Sequence, residues 1–279
     1  MITTFNRNQT APQVIIHGDC WPVVSAIENL IKNLHPESRC KTTFRLIPLL
    51  QQLARNPDAL LLLCLRPREH IFLFYALKNE LLCHPALIFS DELLFSDHVV
   101  LHCWGGIPAM LHQELAGAVD RFRPGKPPHP VKDSLGSFLS DPKPVMGNFA
   151  VPLIFNNPKR LMNYMSLLMF QAIESCGVTP GQQKLLEEIY RGRHTLSGLK
   201  NILNQNERKI FQDKNRLLVK LGMKNRLREL LYGTRFCLLQ QRTEFLPPEE
   251  AKMLFETESF GALSEDSVRR GGVCKIASE

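Results

Sequence analysis

Between residues 13 and 120, short apolar runs alternate with stretches whose apolar positions recur every three to four residues. That alternation predicts βα units around a mostly parallel sheet. Gln13–His17 reads as the first strand, and Trp21–Leu34 as a helix with Val23, Val24, Ile27, Leu30, Ile31 and Leu34 at helical spacing. Ala59–Leu65 is a continuous apolar run ended by Pro67, as expected of a strand covered on both faces, which places it at the centre of the sheet. Ala86–Phe89 and His98–His102 read as further strands, with Ile71–Leu82 and Met110–Val119 as helices between and after them.

The pattern then changes. Arg121–Pro158 is rich in Pro, Gly, Ser and Lys, which disfavours helix and strand interiors and reads as a long linker. Beyond it Leu161, Met162, Met165, Leu168, Met169 and Ile173 fall at helical spacing, a stripe expected to serve core or domain packing. Thr179 before Pro180 is a helix start, with Leu185, Leu186 and Ile189 on one face and Gly192 as the stop. A short amphipathic piece carries Leu196, Leu199, Ile202 and Leu203, and Asn204-Gln205-Asn206 breaks it. Glu207–Lys220 is the next helix, with Ile210, Leu217 and Leu221 inward and Arg208, Lys209, Gln212, Lys214, Asn215, Arg216 and Lys220 outward. Met223–Phe236 supplies a fourth helix bearing Leu227, Leu230 and Leu231. The expected organisation is an α/β domain over 11–120, a linker over 121–158, an all-α domain over 159–240, and an extension over 241–279 whose end is expected to be mobile.

Composition narrows the class. A chain of 279 residues that is 44% hydrophobic and 22% charged is neither disordered nor a small disulfide scaffold. Its longest clean apolar run, Ala59–Leu65, falls far short of the ~20 residues a bilayer span needs, so no membrane partner is expected. No apolar segment follows Met1 as in a secretory signal, which places the expected location in the cytoplasm. The eight cysteines form no CxxC pair and are expected to be reduced thiols, with no metal and no cofactor.

Charge changes the picture further. From Val178 to Gln240 thirteen basic residues face five acidic ones, a balance of +8 within a chain whose net charge is +7. A basic module is joined to a near-neutral remainder, which points to a polyanionic partner.

The segment from Val178-Thr179-Pro180 through Leu185-Leu186, Gly192, Leu203-Asn204 and Ile210 to Lys220-Leu221-Gly222-Met223-Lys224-Asn225-Arg226 resembles the LuxR/NarL-type helix-turn-helix domain of bacterial transcription regulators. Two departures stand out: the stretch between Gly192 and Leu203 is one residue longer than the usual pattern, and Lys200 stands where that family has a small residue. The resemblance implies a four-helix DNA-binding domain in which Glu207–Lys220 is the recognition helix in the major groove of double-stranded DNA. Phe211, Gln212 and Asn215 are then assigned to base edges, since an amide pairs with adenine and an aromatic ring can touch a thymine methyl. Lys209, Lys214 and Lys220 are assigned to phosphates, and Arg216 and Lys224 complete the DNA-binding set. Leu227, Leu230, Leu231 and Tyr232 are the candidate dimer interface, for a homodimer or a heterodimer with a related response regulator.

In many such regulators the first domain is a phosphoacceptor receiver, and residues 13–120 are weakly similar to that flavodoxin-like pattern. The acidic pair expected after the first strand is reduced to Gly18-Asp19, and the acceptor position four residues before Pro67 is Leu63. Ser90 stands at the switch hydroxyl, and no lysine matches near His102-Cys103-Trp104. A leucine cannot accept a phosphoryl group and one carboxylate holds Mg²⁺ poorly, so the expectation is a degenerate receiver-like domain and a regulator, not an enzyme, that works without aspartyl phosphorylation. Two other readings stand beside it: a nucleophilic cluster of His17, Asp19 and Cys20, and an adaptor whose helix-turn-helix docks on another regulator without binding DNA.

Overall fold

A computed structural model describes residues 13–119, 134–192, 195–224, 226–247, 249–251 and 253. Five parallel strands, β1 (Gln13–Gly18), β2 (Arg39–Thr43), β3 (Leu60–Cys64), β4 (Ala86–Ser90) and β5 (Ala109–Leu111), form one sheet in the order β2-β1-β3-β4-β5. This is the flavodoxin-like order, with its switch point between β1 and β3. β3 is central and buried on both faces, as its apolar run predicts: Leu61, Leu63 and Leu65 join the core on one side, and Leu60, Leu62 and Cys64 the core on the other.

α1 (Trp21–Leu34) covers the second face with Val24, Ile27 and Ile31. α2 (Leu46–Arg55), α3 (Ile71–Ala76), α4 (Lys78–Cys83) and α5 (Phe95–Cys103) cover the first, and α6 (His112–Val119) follows β5. Neither β2 nor α2 stands out in the sequence, because β2 is a mostly exposed polar edge strand and Pro48 lies within α2. The expected strand His98–His102 is instead part of helix α5. Its β-branched Val99 and Val100 are buried, and the Asp97 carboxylate accepts the Leu94 N–H at 2.8 Å to start a helix there. The last strand overlaps the start of the expected helix Met110–Val119, which begins only at His112. The expected helix Ile71–Leu82 breaks at Leu77 into α3 and α4.

The expected linker is partly structured. Residues 120–133 lie outside the described positions, but α7 (Ser134–Ser140) buries Leu135, Phe138 and Leu139 against the α1 side of the sheet. Val151 is fully buried, and Phe149 pairs across a β-bridge with Trp104. α8 (Pro158–Ser175) follows, with Asn157 accepting the Lys159 N–H and its stripe of Leu161, Met162, Met165, Met169 and Ile173 buried against the helices around α5. The stripe is core, as its spacing predicts.

Then follow α9 (Pro180–Tyr190), α10 (Leu196–Leu203), α11 (Glu207–Lys220) and α12 (Leu227–Tyr232), the last shorter than the expected Met223–Phe236. The molecule is therefore an α/β sheet domain followed by an all-α helix-turn-helix unit. One apolar cluster runs from the sheet through α5 and α8 into Leu185, Ile210 and Leu217, so the two units share a core instead of building separate ones.

Candidate nucleic-acid interface

α9, α10 and α11 pack pairwise, and α12 closes on α9. The starts of α9, α10 and α11 are capped by side chains: Thr179 accepts the Gln182 N–H, Thr195 the Gly198 N–H at 3.2 Å, and Asn206 the Lys209 N–H at 2.8 Å. Between α10 and α11 the chain reverses through Asn204 at φ 49°, the left-handed region that Asn tolerates better than most side chains. Lys200 is exposed and does not obstruct the packing of α10.

α11 is two-faced. Ile210, Leu217 and Leu218 are buried, and Leu221 just beyond its end joins them. The opposite side presents Arg208, Phe211, Gln212, Asn215, Arg216 and Val219 at helical spacing, with Asn215 half-buried and the others exposed. Phe211 is 50% exposed, and the Lys214 ammonium lies 5.5 Å from its ring centroid, a cation–π contact that holds the charge at the helix surface. Lys209 on α11 and Lys224 beyond its end are exposed. Lys220 is not: its ammonium donates to the Gly177 carbonyl at 2.5 Å and to Gln182 Oε1 at 3.0 Å, tying the end of α11 to the start of α9. The structure thus gathers Lys209, Phe211, Gln212, Lys214, Asn215 and Arg216 on one helix and commits Lys220 to the fold. Arg208 and Val219, the latter 80% exposed, belong to the same stripe, and their spacing from Phe211, Gln212 and Asn215 was the signal for them.

The candidate dimer interface is placed differently. Leu230 is buried and Leu231 packs against the core; the Leu227 side chain lies outside the described positions. Tyr232 is partly exposed, but its carbonyl accepts the Ser96 hydroxyl at 2.9 Å, and Arg228 pairs with Glu92 at 2.7 Å. α12 therefore leans on the sheet domain instead of offering Leu230 and Leu231 as a free surface, because both leucines are needed to close the helical core.

At the carboxyl ends of the strands, where this fold binds its ligands, Leu63 is 0% exposed inside β3. Asp19 meets the Arg242 guanidinium at 2.5 Å and His70 at 3.4 Å. The hydrogen bond with His70, reinforced by Arg242, holds its carboxyl down to about 2. Arg66 pairs with Asp91 at 2.5 Å, and Arg68 with the buried Asp97 at 2.5 Å and with Glu92. Ser90 is buried and donates to the Glu92 carbonyl at 2.7 Å. β5 carries no lysine and is followed by His112. Nor is a nucleophilic cluster assembled: His17 turns to Thr43 at 3.1 Å, and burial, with His70 nearby, pushes its imidazole down to about 4, while Cys20 is exposed. A cavity of about 450 Å³ opens between Arg68, Arg228, Tyr232 and Arg242. Among the described residues no group of three or more His, Cys, Asp or Glu could hold a metal ion, and no helix is long and apolar enough to cross a membrane.

No protein-family model and no curated protein sequence matches the chain. Solved structures similar to it include RcsB of Salmonella enterica serovar Typhimurium bound to a promoter, at 15% identity and a TM-score of 0.45 over 80% of this chain and 98% of that one. Two RcsB dimers bound to two parallel DNAs give 14% identity and a TM-score of 0.49 over 79% and 96%. Full-length FixJ of B. japonicum gives 14% identity and a TM-score of 0.32 over 80% and 95%.

Proposed function

We propose that this chain is a bacterial transcription regulator that binds duplex DNA through α11. The observation that carries the reading is the two-faced α11: capped by Asn206, buried on its Ile210–Leu217 side, and open along Arg208, Phe211, Gln212, Asn215 and Arg216. A helix of this width fits the major groove, and amides facing outward can read adenine. Lys209, Lys214, Arg216 and Lys224 serve the phosphates, which set register and not sequence. Regulation does not pass through an aspartyl phosphate, since Leu63 fills the acceptor position and Asp19 is held in an ion pair with Arg242. Useful specificity needs two half-sites, so the chain acts with a second copy or with a related regulator whose receiver is intact.

Sequencing of duplexes retained from a random pool tests this. A recurrent motif is expected with the full chain, and its loss or relaxation with Gln212→Ala and Asn215→Ala. Retention of no common sequence, or of the same one by both variants, contradicts the reading. The exposure of Phe211 and Val219 on one stripe favours a second function, docking of α11 on another regulator. Charge reversal at Lys209 and Lys214 separates the two: it weakens DNA binding under the first reading and leaves regulator binding intact under the second.

A further inference from the structure

The segment after α12 does not trail away from the helical unit. A 3₁₀ turn at Leu238–Gln240 sends the chain back across the sheet domain, where Gln241–Phe245 lies along the segment that follows β3. Its contacts are one main-chain bond and a set of side-chain contacts. The Arg242 N–H donates to the Glu69 carbonyl at 2.9 Å. Gln241 accepts the Ile71 N–H at 2.8 Å and donates to the Arg68 carbonyl at 2.9 Å. Thr243 meets His70 Nδ1 at 2.9 Å. The Arg242 guanidinium bridges Asp19 at 2.5 Å and Glu69 at 2.8 Å, and the Phe245 ring sits 5.3 Å from Phe72 and 5.8 Å from Tyr75.

Asp19 and Glu69 follow β1 and β3, the two strands that flank the switch point where this fold takes its ligands. The local charge rules out one alternative: Arg66, Arg68, Arg228 and Arg242 are outnumbered there by Asp19, Glu69, Asp91, Glu92 and Asp97, so a free anion gains nothing by entering. What the site offers is two carboxylates beside an aromatic wall, with the Arg68 and Glu69 carbonyls and the Ile71 N–H turned to the strap. Gly18 fits that geometry, since a Cβ there would lie 2.7 Å from the Cys64 carbonyl oxygen and push β1 and β3 apart at this end.

We propose that this crevice is a peptide-binding site whose resident ligand is the chain's own Gln241–Phe245, and that it recognises an arginine followed three residues on by an aromatic ring. The Arg242 N–H and the Gln241 amide fix the strap's course, Asp19 and Glu69 select the guanidinium, and Phe72 and Tyr75 select the ring. Held in cis, the strap closes the crevice to other ligands and ties its occupancy to the position of α12 through the short connection Gly233–Gln240. This inference stands on sheet-domain contacts alone, so its test does not involve DNA.

A labelled peptide of residues 237–247 titrated against two full-length proteins decides it. The unaltered chain, with its crevice filled, should bind at least about tenfold more weakly than Arg242→Glu/Phe245→Ala, whose own strap is disabled. A peptide with glutamate in place of its arginine should bind neither. Equal binding to both proteins, binding to neither, or indifference to the arginine overturns the proposal. A measurement that needs no strap variant is hydrogen exchange at the Arg242 amide, which should be slow in the unaltered chain and about tenfold or more faster in Asp19→Asn. Fast exchange in the unaltered chain, or equal exchange in both, also overturns it.

Discussion

Gln212 and Lys209 are both exposed on α11, yet they answer different questions. Under the proposed function Gln212→Ala removes a base contact worth about 1–3 kcal/mol and relaxes preference at one position, whereas Lys209→Ala weakens all duplexes alike and lowers the salt slope by about 1. Competition binding with single-base-substituted duplexes distinguishes the two. His17 gives a stability prediction. Its imidazole is buried and pushed down to about 4 from 6.5, so folding excludes a proton that the unfolded chain takes up. Stability is complete above about pH 6.5 and declines as pH falls towards about 4. Asp19 has the ordinary carboxylate sign, with its folded value lowered to about 2, so its contribution is lost only as pH falls from about 4 towards 2. Urea unfolding midpoints between pH 7 and 4 should therefore fall less steeply in His17→Asn than in the unaltered chain, and no less steeply in Asp19→Asn. The face of α11 was legible in the sequence, because Ile210 and Leu217 fix which side goes inward. The engagement of Lys220 with Gly177 and Gln182 was not, since an outward lysine carries no mark of the carbonyl it will reach.

Local signals at the element scale succeeded where one force dominated and failed where two competed. The run Ala59–Leu65 is apolar throughout and became the central strand; Thr179-Pro180 and Asn206 became helix starts because each supplies a cap. In α5 the β-branched Val99 and Val100 favour a strand, but burial on nearly every side erases the alternation that tells helix from strand, and the cap at Asp97 settles it. β5 was hidden because three residues are too few to show a period. The turn after α10 yields a third prediction. Asn204→Ala, forced to hold φ near 49°, should cost about 1 kcal/mol, while Asn204→Gly should be neutral or slightly stabilising, as read from thermal unfolding of the two variants. The end of β3 yields a fourth. Incubation with a small phosphodonor and Mg²⁺ should neither modify residues 1–125 nor alter DNA affinity. An acid- and base-labile phosphoryl group found by mass spectrometry on Asp19 would show that the ion pair with Arg242 does not protect that carboxylate.

For the molecule as a whole, the composition predicted two units with the positive charge in the second, and the charge lies there. The way those units join was not in any local pattern. Asp19 and Arg242 are 223 residues apart, Ser96 and Tyr232 are 136 apart, and the shared apolar cluster appears only when α5 and α8 are in place. A polar, proline-containing segment such as Gln241–Pro247 reads as an extension until the crevice that receives it has been built. The same joining explains why Leu230 and Leu231 do not form an open pairing surface, and it leaves α11 as the exposed basic feature on which the functional account depends. The most direct test is the affinity of the full chain for a duplex, followed by fluorescence anisotropy across a salt series. With ~4–6 phosphate contacts the slope of log K against log salt should be about −4 to −5, and reversing the charges of Lys209 and Lys214 should remove about 2 from it. An affinity that does not change with salt, no binding at low salt, or an unaltered slope in the charge-reversed chain would contradict DNA binding through α11.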